Sequence, residues 1–123
     1  MLNPKSEKSN NIRFRTYEFS LMIIEFVKNF PQTKMYMIFA DQLLRSATSI
    51  GANIFEARSS SSKKDFARFY EIALKSANES LYWLCLLRDS NSVLPDKIAH
   101  LVKENEEICK MIGSSLLTMR NKR

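Results

Sequence analysis

Four stretches of the chain place apolar residues three or four positions apart, which is the spacing that one face of an α-helix requires. They run from about residue 13 to 29, 33 to 58, 63 to 89 and 95 to 119. The 123-residue chain has only two glycines and three prolines, too few for the many turns of a β-sheet protein. The spacing therefore predicts an all-α protein built from a few long helices.

Three short breaks separate these stretches, and two of them contain the prolines Pro31 and Pro95. The third break is a run of four serines, in which Ser62 is suited to be the N-cap of the third helix, with Asp65 at its third position. Because short connections make consecutive helices antiparallel, we predict an up-down-up-down four-helix bundle over residues 12–121.

The same spacing assigns one apolar stripe to each helix, and we expect these stripes to face the core. The first stripe contains Phe14, Tyr17, Leu21, Ile24 and Val27. The others contain Leu43, Ala47, Ile50, Ile54 and Ala57, then Phe66, Tyr70, Ala73, Ala77, Leu81 and Leu84, and finally Ile98, Leu101, Ile108, Ile112 and Leu116.

Residues 1–11 are polar and aperiodic, which predicts a disordered N-terminal arm. No stretch has the pattern of a signal peptide, and the longest apolar run, LYWLCLL at 81–87, is far shorter than the roughly 20 residues of a membrane span. Cys85 and Cys109 lie in helical stretches without the spacing of a zinc site, and buried reduced thiols fit the cytoplasm. We therefore expect a soluble, cytoplasmic protein without a membrane partner.

The second helix contains the segment QLLRSATSIGANIFEA, whose polar residues share one stripe about a quarter turn from the apolar stripe. A buried polar stripe needs partners, and the third helix offers Ser76 and Glu79, the latter with Arg45 or Asn53 as its expected donor. We interpret the stripe as a structural network that fixes helix register, and the alternative is a carboxylate site. The predicted network comprises Gln42, Arg45, Ser49, Asn53, Glu56, Ser76 and Glu79.

These two helices also carry a pattern that resembles the four-helix-bundle proteins encoded in intervening sequences of bacterial 23S ribosomal RNA genes. Three positions depart from that pattern: Gly51 replaces a proline, Ala57 a glycine and Leu44 an arginine. The matching residues are Gln42, Leu43, Arg45, Ala47, Ser49, Ile50, Ala52, Asn53, Ile54 and Glu56, followed by Asp65, Phe66, Phe69, Ile72, Ala73, Ser76 and Glu79.

The resemblance implies a homo-oligomer, often a pentamer in the form of a ring, and a bend of the second helix at Gly51. A related branch is the accessory protein of diversity-generating retroelements, a basic barrel that binds nucleic acid and a reverse transcriptase. The intervening-sequence branch itself brings no defined activity, so the resemblance implies a fold and an assembly without a reaction.

Several segments are apolar on more than one helical face, namely LMII at 21–24, MYMIF at 35–39 and LYWLCLL at 81–87. A bundle helix in a monomer normally keeps one polar face, so either loops or a second subunit must cover these segments. We expect a second subunit, since aromatic residues and methionine are common in interface cores. The candidate interface residues are Met35, Tyr36, Met37, Tyr82 and Trp83.

The sequence contains no motif that points to catalysis. His100 is the only histidine, so the paired Glu-x-x-His motifs of di-iron bundles are absent. A glycine-rich phosphate loop and a nucleophile motif are absent as well. We predict a protein that is not an enzyme, with no catalytic residue, metal, cofactor or small-molecule substrate.

The chain carries 19 lysines and arginines against 13 acids, a surplus of six charges that suits either nucleic-acid binding or mere solubility. On a helical wheel, Lys64, Arg68 and Lys75 share the outer face of the third helix, with Glu71 among them. We predict electrostatic binding of RNA or DNA by a homo-oligomer, and the alternatives are a protein-interaction scaffold or a passenger protein with no nucleic-acid role. The candidate contacts are Arg13, Arg15, Arg58, Lys63, Lys64, Arg68 and Lys75.

Overall fold

The computed structural model describes residues 11–90 and 94–121, and within these residues the ordered elements are four helices. Each helix packs on two neighbours in the cyclic order α1, α2, α3, α4 and back to α1, which confirms the predicted all-α four-helix bundle. The predicted arm at residues 1–10 lies outside the described residues. The helices are α1 (Ile12–Lys28), α2 (Lys34–Ala57), α3 (Lys63–Asp89) and α4 (Pro95–Asn121).

Side-chain caps begin three of the helices. The Ser62 hydroxyl accepts a hydrogen bond from the backbone N–H of Asp65 at 3.1 Å, as its sequence position predicted. Thr33 caps α2 in the same way. Asn11, which was assigned to the N-terminal arm, caps α1 instead, since its Oδ1 accepts from the N–H of Arg13 at 2.8 Å. Caps of this kind each stabilise a helical protein by about 1 kcal/mol.

The stripes predicted for α2 and α4 lie in the core, but the stripe predicted for α1 was wrong. Leu21 and Ile24 are 43% and 36% exposed, whereas Phe19, Ile23 and Phe26 on a different face of α1 are buried. Both faces satisfy the three- and four-residue spacing, so the spacing alone cannot choose between them. In α3, Tyr70, Ala73, Ala77 and Leu84 are buried, while Phe66 and Leu81 are partly exposed.

Gly51 lies where α2 packs closely against α1. A Cβ atom at this position would stand 3.3 Å from the carbonyl oxygen of Thr16 and 3.6 Å from the hydroxyl of Ser20. The helix itself continues without interruption from Lys34 to Ala57. A glycine inside this helix is therefore explained by the space that α1 occupies.

A buried hydrogen-bonded cluster joins α3 to α4. The Asn105 side chain is fully buried, and its Oδ1 accepts from the Ser80 hydroxyl at 2.8 Å while its Nδ2 donates to the carbonyl of Ala77 at 2.9 Å. Because a one-residue shift of either helix would break both bonds, the cluster specifies the register of the pair. The described helices include none that is long and apolar enough to cross a lipid bilayer.

Candidate nucleic-acid interface

An exposed row of cations runs along the outer face of α3. Lys64, Arg68 and Lys75 are all exposed, and none of them forms an ion pair or hydrogen bond through its side chain within the described residues. The row extends about 16 Å, given the helical rise of about 1.5 Å per residue. Glu71 lies between them and is also exposed. The helix thus presents three positive charges and one negative charge to solvent over three turns, and we call Lys64, Arg68 and Lys75 the cationic row.

More cations lie at the end of the bundle where α2 turns into α3. Arg58 caps the C-terminus of α2 and Lys63 begins α3, and both are exposed. The start of α1 lies at the same end because α1 and α2 are antiparallel, and there the Arg13 guanidinium is 5.8 Å from the centre of the Phe55 ring. Arg58 and Lys63 therefore extend the cationic row at its N-terminal end, whereas Arg13 is partly buried and packs on Phe55, on the α1–α2 side of the bundle.

Arg15 differs from the other predicted contacts because its charge is already balanced. Its Nε and Nη2 atoms donate to the two carboxylate oxygens of Glu104, each at 2.8 Å, and the two side chains are only 22% and 20% exposed. The hydrogen bond with Glu104 raises the pKa of Arg15, against the opposing effect of burial. Arg15 fastens α1 to α4, and we exclude it from the nucleic-acid interface.

Three of the seven residues of the predicted polar network do meet between α2 and α3. The Ser76 hydroxyl donates to the Ser49 hydroxyl at 2.9 Å, across the two helices. The Asn53 amide then donates to the Ser49 hydroxyl at 3.1 Å and to the Ser49 carbonyl at 2.8 Å. The small serines allow the two helices to approach, and the hydrogen bonds satisfy the polar groups that the approach covers.

The other four residues lie outside this network, which is smaller than the sequence predicted. Arg45, Glu56 and Glu79 are exposed, and Gln42 is partly exposed. The expected donor for Glu79 is not found among the described residues, since neither Arg45 nor Asn53 bonds to it. A carboxylate in water needs no such partner, so the arrangement does not form a carboxylate site either.

An apolar patch covers the opposite end of the α2–α3 pair. It consists of Met35 and Ile38 from the start of α2 and Tyr82 and Leu86 from the end of α3, which are 37% to 59% exposed. Of the other predicted interface residues, Met37 is 59% exposed. Tyr36 is partly buried, with its ring 5.3 Å from that of Phe30.

Trp83 lies beneath the apolar patch. Its ring contacts Phe39 on α2 and the neighbouring Tyr82, with ring centres 5.6 Å and 5.3 Å away. The indole Nε1 is buried but has no hydrogen-bond partner within the described part of the chain. A buried indole N–H usually has a hydrogen-bond acceptor. Trp83 therefore has a buried donor without an acceptor in the described residues, next to exposed apolar surface.

The only histidine of the chain lines a groove between α1 and α4. His100 is exposed, and the groove, of about 560 Å³, also contains Leu21, Phe26 and the carboxylates of Glu18 and Asp96. No group of three histidine, cysteine, aspartate or glutamate side chains in residues 11–90 and 94–121 is arranged to hold a metal ion. The exposed surface of the groove is mainly apolar.

Comparison with known proteins places this architecture in a family. Residues 8–114 of the chain match the family described as 23S rRNA-intervening sequence protein. The chain belongs to this family. The solved structure of a protein of unknown function from the S23 ribosomal protein family of Bacteroides thetaiotaomicron VPI-5482 is similar, with 34% identity and a TM-score of 0.80. The similarity covers 86% of this chain and 98% of that one. No curated protein matches the chain.

Within the 23S rRNA-intervening sequence family, the pattern seen in α2 and α3 now has a partial structural explanation. Ser49, Asn53 and Ser76 hold the two helices together. Arg45 and Glu79 belong to the same pattern and remain exposed, so contacts within one chain do not account for them. The family description names no reaction, and the solved relative is described as a protein of unknown function.

Proposed function

We propose that this family member is a non-enzymatic, cytoplasmic homo-oligomer that binds RNA or DNA electrostatically. The observation that carries the proposal is the cationic row of Lys64, Arg68 and Lys75, which is exposed and has no ion-pair partner within the described residues. Lys63 and Arg58 extend the row at its N-terminal end. Exposed, uncompensated cations are the groups that displace counterions from a phosphate backbone.

The binding mode is independent of base sequence. Phosphate contacts position a protein on nucleic acid without reading bases, and the sequence contains no recognised base-reading motif. The overall surplus of six charges favours association with any polyanion at low salt. The affinity is therefore expected to fall steeply as salt concentration rises.

The apolar patch supports self-association. The patch has four exposed apolar side chains on two adjacent helices, and the tryptophan beneath it has an N–H without an acceptor in the described residues. These features are typical of an interface rather than of a solvated surface. We propose that a second copy of the chain covers Met35, Ile38, Tyr82 and Leu86, in a ring that the family resemblance implies is a pentamer. A ring repeats the cationic row and thereby strengthens weak binding.

The decisive experiment is a titration of structured RNA at low and high salt with two variants of equal net charge. The first variant, K64Q/R68Q/K75Q, removes the cationic row, and the control variant, K34Q/K97Q/K103Q, removes three exposed lysines elsewhere on the bundle. Each lost phosphate contact should lower the slope of log affinity against log salt by roughly 0.7 to 0.9.

We expect the first variant to bind weakly with a shallow salt slope, while the control variant stays close to the wild type. Equal losses in both variants would mean that net charge alone drives binding and that the row has no special role. If the wild-type protein does not bind RNA at low salt, the proposal of nucleic-acid binding is wrong. The apolar patch would then favour the alternative function, a scaffold that docks another protein.

A further inference from the structure

A cavity of about 810 Å³ lies beside the cationic row, between the first turns of α3 and the last turn of α4. This volume is within the range of roughly 300–1,000 Å³ that is typical of pockets for small organic ligands. Its walls combine cationic and apolar side chains. The lining residues are Lys63, Lys64, Phe66, Ala67, Arg68, Glu71 and Met119.

The cations and the apolar side chains of this cavity have separate roles. Lys63, Lys64 and Arg68 are exposed, and the described residues offer them no ion-pair partner. Phe66 and Met119 are half-buried and supply an aromatic ring and a polarisable thioether. Phosphate groups suit the first set, and a flat, apolar ring system suits the second.

The Phe66 ring is held in place before any ligand arrives. It stacks on the ring of Tyr70, with centres 4.9 Å apart and planes 22° apart, and Tyr70 is only 7% exposed. A fixed aromatic side chain loses little conformational entropy when a base stacks on it. Stacking of bases on aromatic side chains next to a cationic groove is the general way in which proteins bind single strands.

We propose that this cavity receives an unpaired base of single-stranded RNA or DNA, with the flanking phosphates on Lys63, Lys64 and Arg68. The inference rests on the proposed function and makes it more specific. A duplex keeps its bases paired and stacked inside, so it can reach the cations but cannot fill the cavity. Glu71, the one acid among the described lining residues, offers a carboxylate that can accept a hydrogen bond from an exocyclic amino group of the base.

The test compares a single strand of about ten nucleotides with the duplex of the same length, a size within the usual range for one binding module. The single strand contains 2-aminopurine, whose fluorescence decreases when the base stacks. The cavity variant is Phe66→Leu, which keeps an apolar side chain of similar size but removes the aromatic ring. The matched control is Phe55→Leu, an exposed phenylalanine at the same end of the bundle but outside the cavity.

We expect wild-type protein to bind the single strand more tightly than the duplex and to quench the 2-aminopurine fluorescence. Phe66→Leu should weaken single-strand binding by roughly fivefold or more and leave duplex binding unchanged, while Phe55→Leu behaves as the wild type. Circular dichroism checks the fold of each variant, and the wild-type comparison of the two nucleic acids stands even if Phe66→Leu unfolds.

The failures of the two proposals are distinguishable. Equal, salt-dependent binding of single strand and duplex without quenching would overturn the cavity proposal but leave electrostatic binding intact. Absence of binding to either nucleic acid at low salt would overturn both. If a folded Phe66→Leu variant quenches the 2-aminopurine fluorescence as strongly as the wild type, the base stacks elsewhere on the protein and the cavity proposal is wrong.

Discussion

Arg15 and Glu104 form a bidentate ion pair that joins the first helix of the bundle to the last. The ion pair links the side chains of α1 and α4 directly. Its geometry is the planar fork that guanidinium and carboxylate groups prefer. Both partners are largely shielded from water, which distinguishes the pair from the exposed pair of Arg88 and Asp89.

Replacing Arg15 with Gln should lower the free energy of unfolding by about 1 kcal/mol or more, since charge-assisted hydrogen bonds are lost and Glu104 is left unpaired. Urea denaturation of R15Q, E104Q and the double variant measures the coupling between them. The control is Arg88→Gln, at an exposed pair for which a much smaller change is expected. A coupling free energy of zero would show that the ion pair makes no net contribution.

The pH dependence of this contribution follows from the raised pKa of Arg15. When the pKa of a group is higher in the folded protein than in the unfolded chain, the group stabilises the folded state. This stabilisation is complete at a pH below the pKa of the unfolded chain, and it is lost as the pH rises through the pKa of the folded protein. An arginine side chain in the unfolded chain already loses its proton only well above a pH of about 10, and the folded pKa of Arg15 is higher still. The coupling free energy between Arg15 and Glu104 should therefore be the same at neutral pH and at a pH of about 10. Denaturation of the same variants at these two pH values provides the measurement.

Asn105 should be more sensitive to truncation than its polar character suggests. Asn105→Ala leaves a buried cavity and removes both bonds to α3, which should cost about 2 kcal/mol or more. Asn105→Leu fills the space, and the single Ser80 hydroxyl proton can then be donated to the Ala77 carbonyl, whose oxygen lies 3.1 Å away. We therefore expect Leu to be tolerated better than Ala in thermal denaturation. Equal losses would mean that the amide's hydrogen bonds outweigh packing here.

The two glycines of the chain provide a matched pair of substitutions. A Cβ atom at Gly113 meets nothing within 4 Å, so Gly113→Ala should gain about 1 kcal/mol from helix propensity. At Gly51 the same atom stands 3.3 Å from a backbone oxygen of α1, which cannot move without shifting that helix. Gly51→Ala should therefore be destabilising, as measured by urea denaturation. A gain at both positions would show that α1 can shift easily.

Charge placed in the apolar patch should dissociate the proposed oligomer without unfolding the bundle. Ile38→Lys and Tyr82→Lys alter side chains that are 51% and 59% exposed in the single chain, so the core is untouched. Light scattering should show a lower mass for these variants than for the wild type. The control is Leu117→Lys, at an equally exposed apolar residue on α4. A wild-type protein that is already monomeric would contradict the proposed interface.

Much of the fold and part of the candidate site could be predicted from local patterns. The spacing of apolar residues predicted four helices, and the Ser62 cap and the common face of Lys64, Arg68 and Lys75 follow from helix geometry alone. These features depend on residues a few positions apart in the chain, whose relative directions a helix determines by itself.

Other features required the tertiary structure, because they depend on which helix faces lie opposite each other. α1 has apolar residues on two faces, and only packing against α2 and α4 decides that Phe19 is buried and Leu21 exposed. Arg15 was predicted to contact nucleic acid until its distance to Glu104, 89 positions away, showed its charge to be balanced.

The sequence by itself determined the helices, the surplus of positive charge and the outward cationic row, since these follow from composition and from the helical repeat. Only the tertiary structure decided that Asn105 is fully buried while Glu79 stays in water. Burial of a polar group is favourable only where a partner helix supplies hydrogen bonds, and that supply depends on helix register, which no single helix specifies.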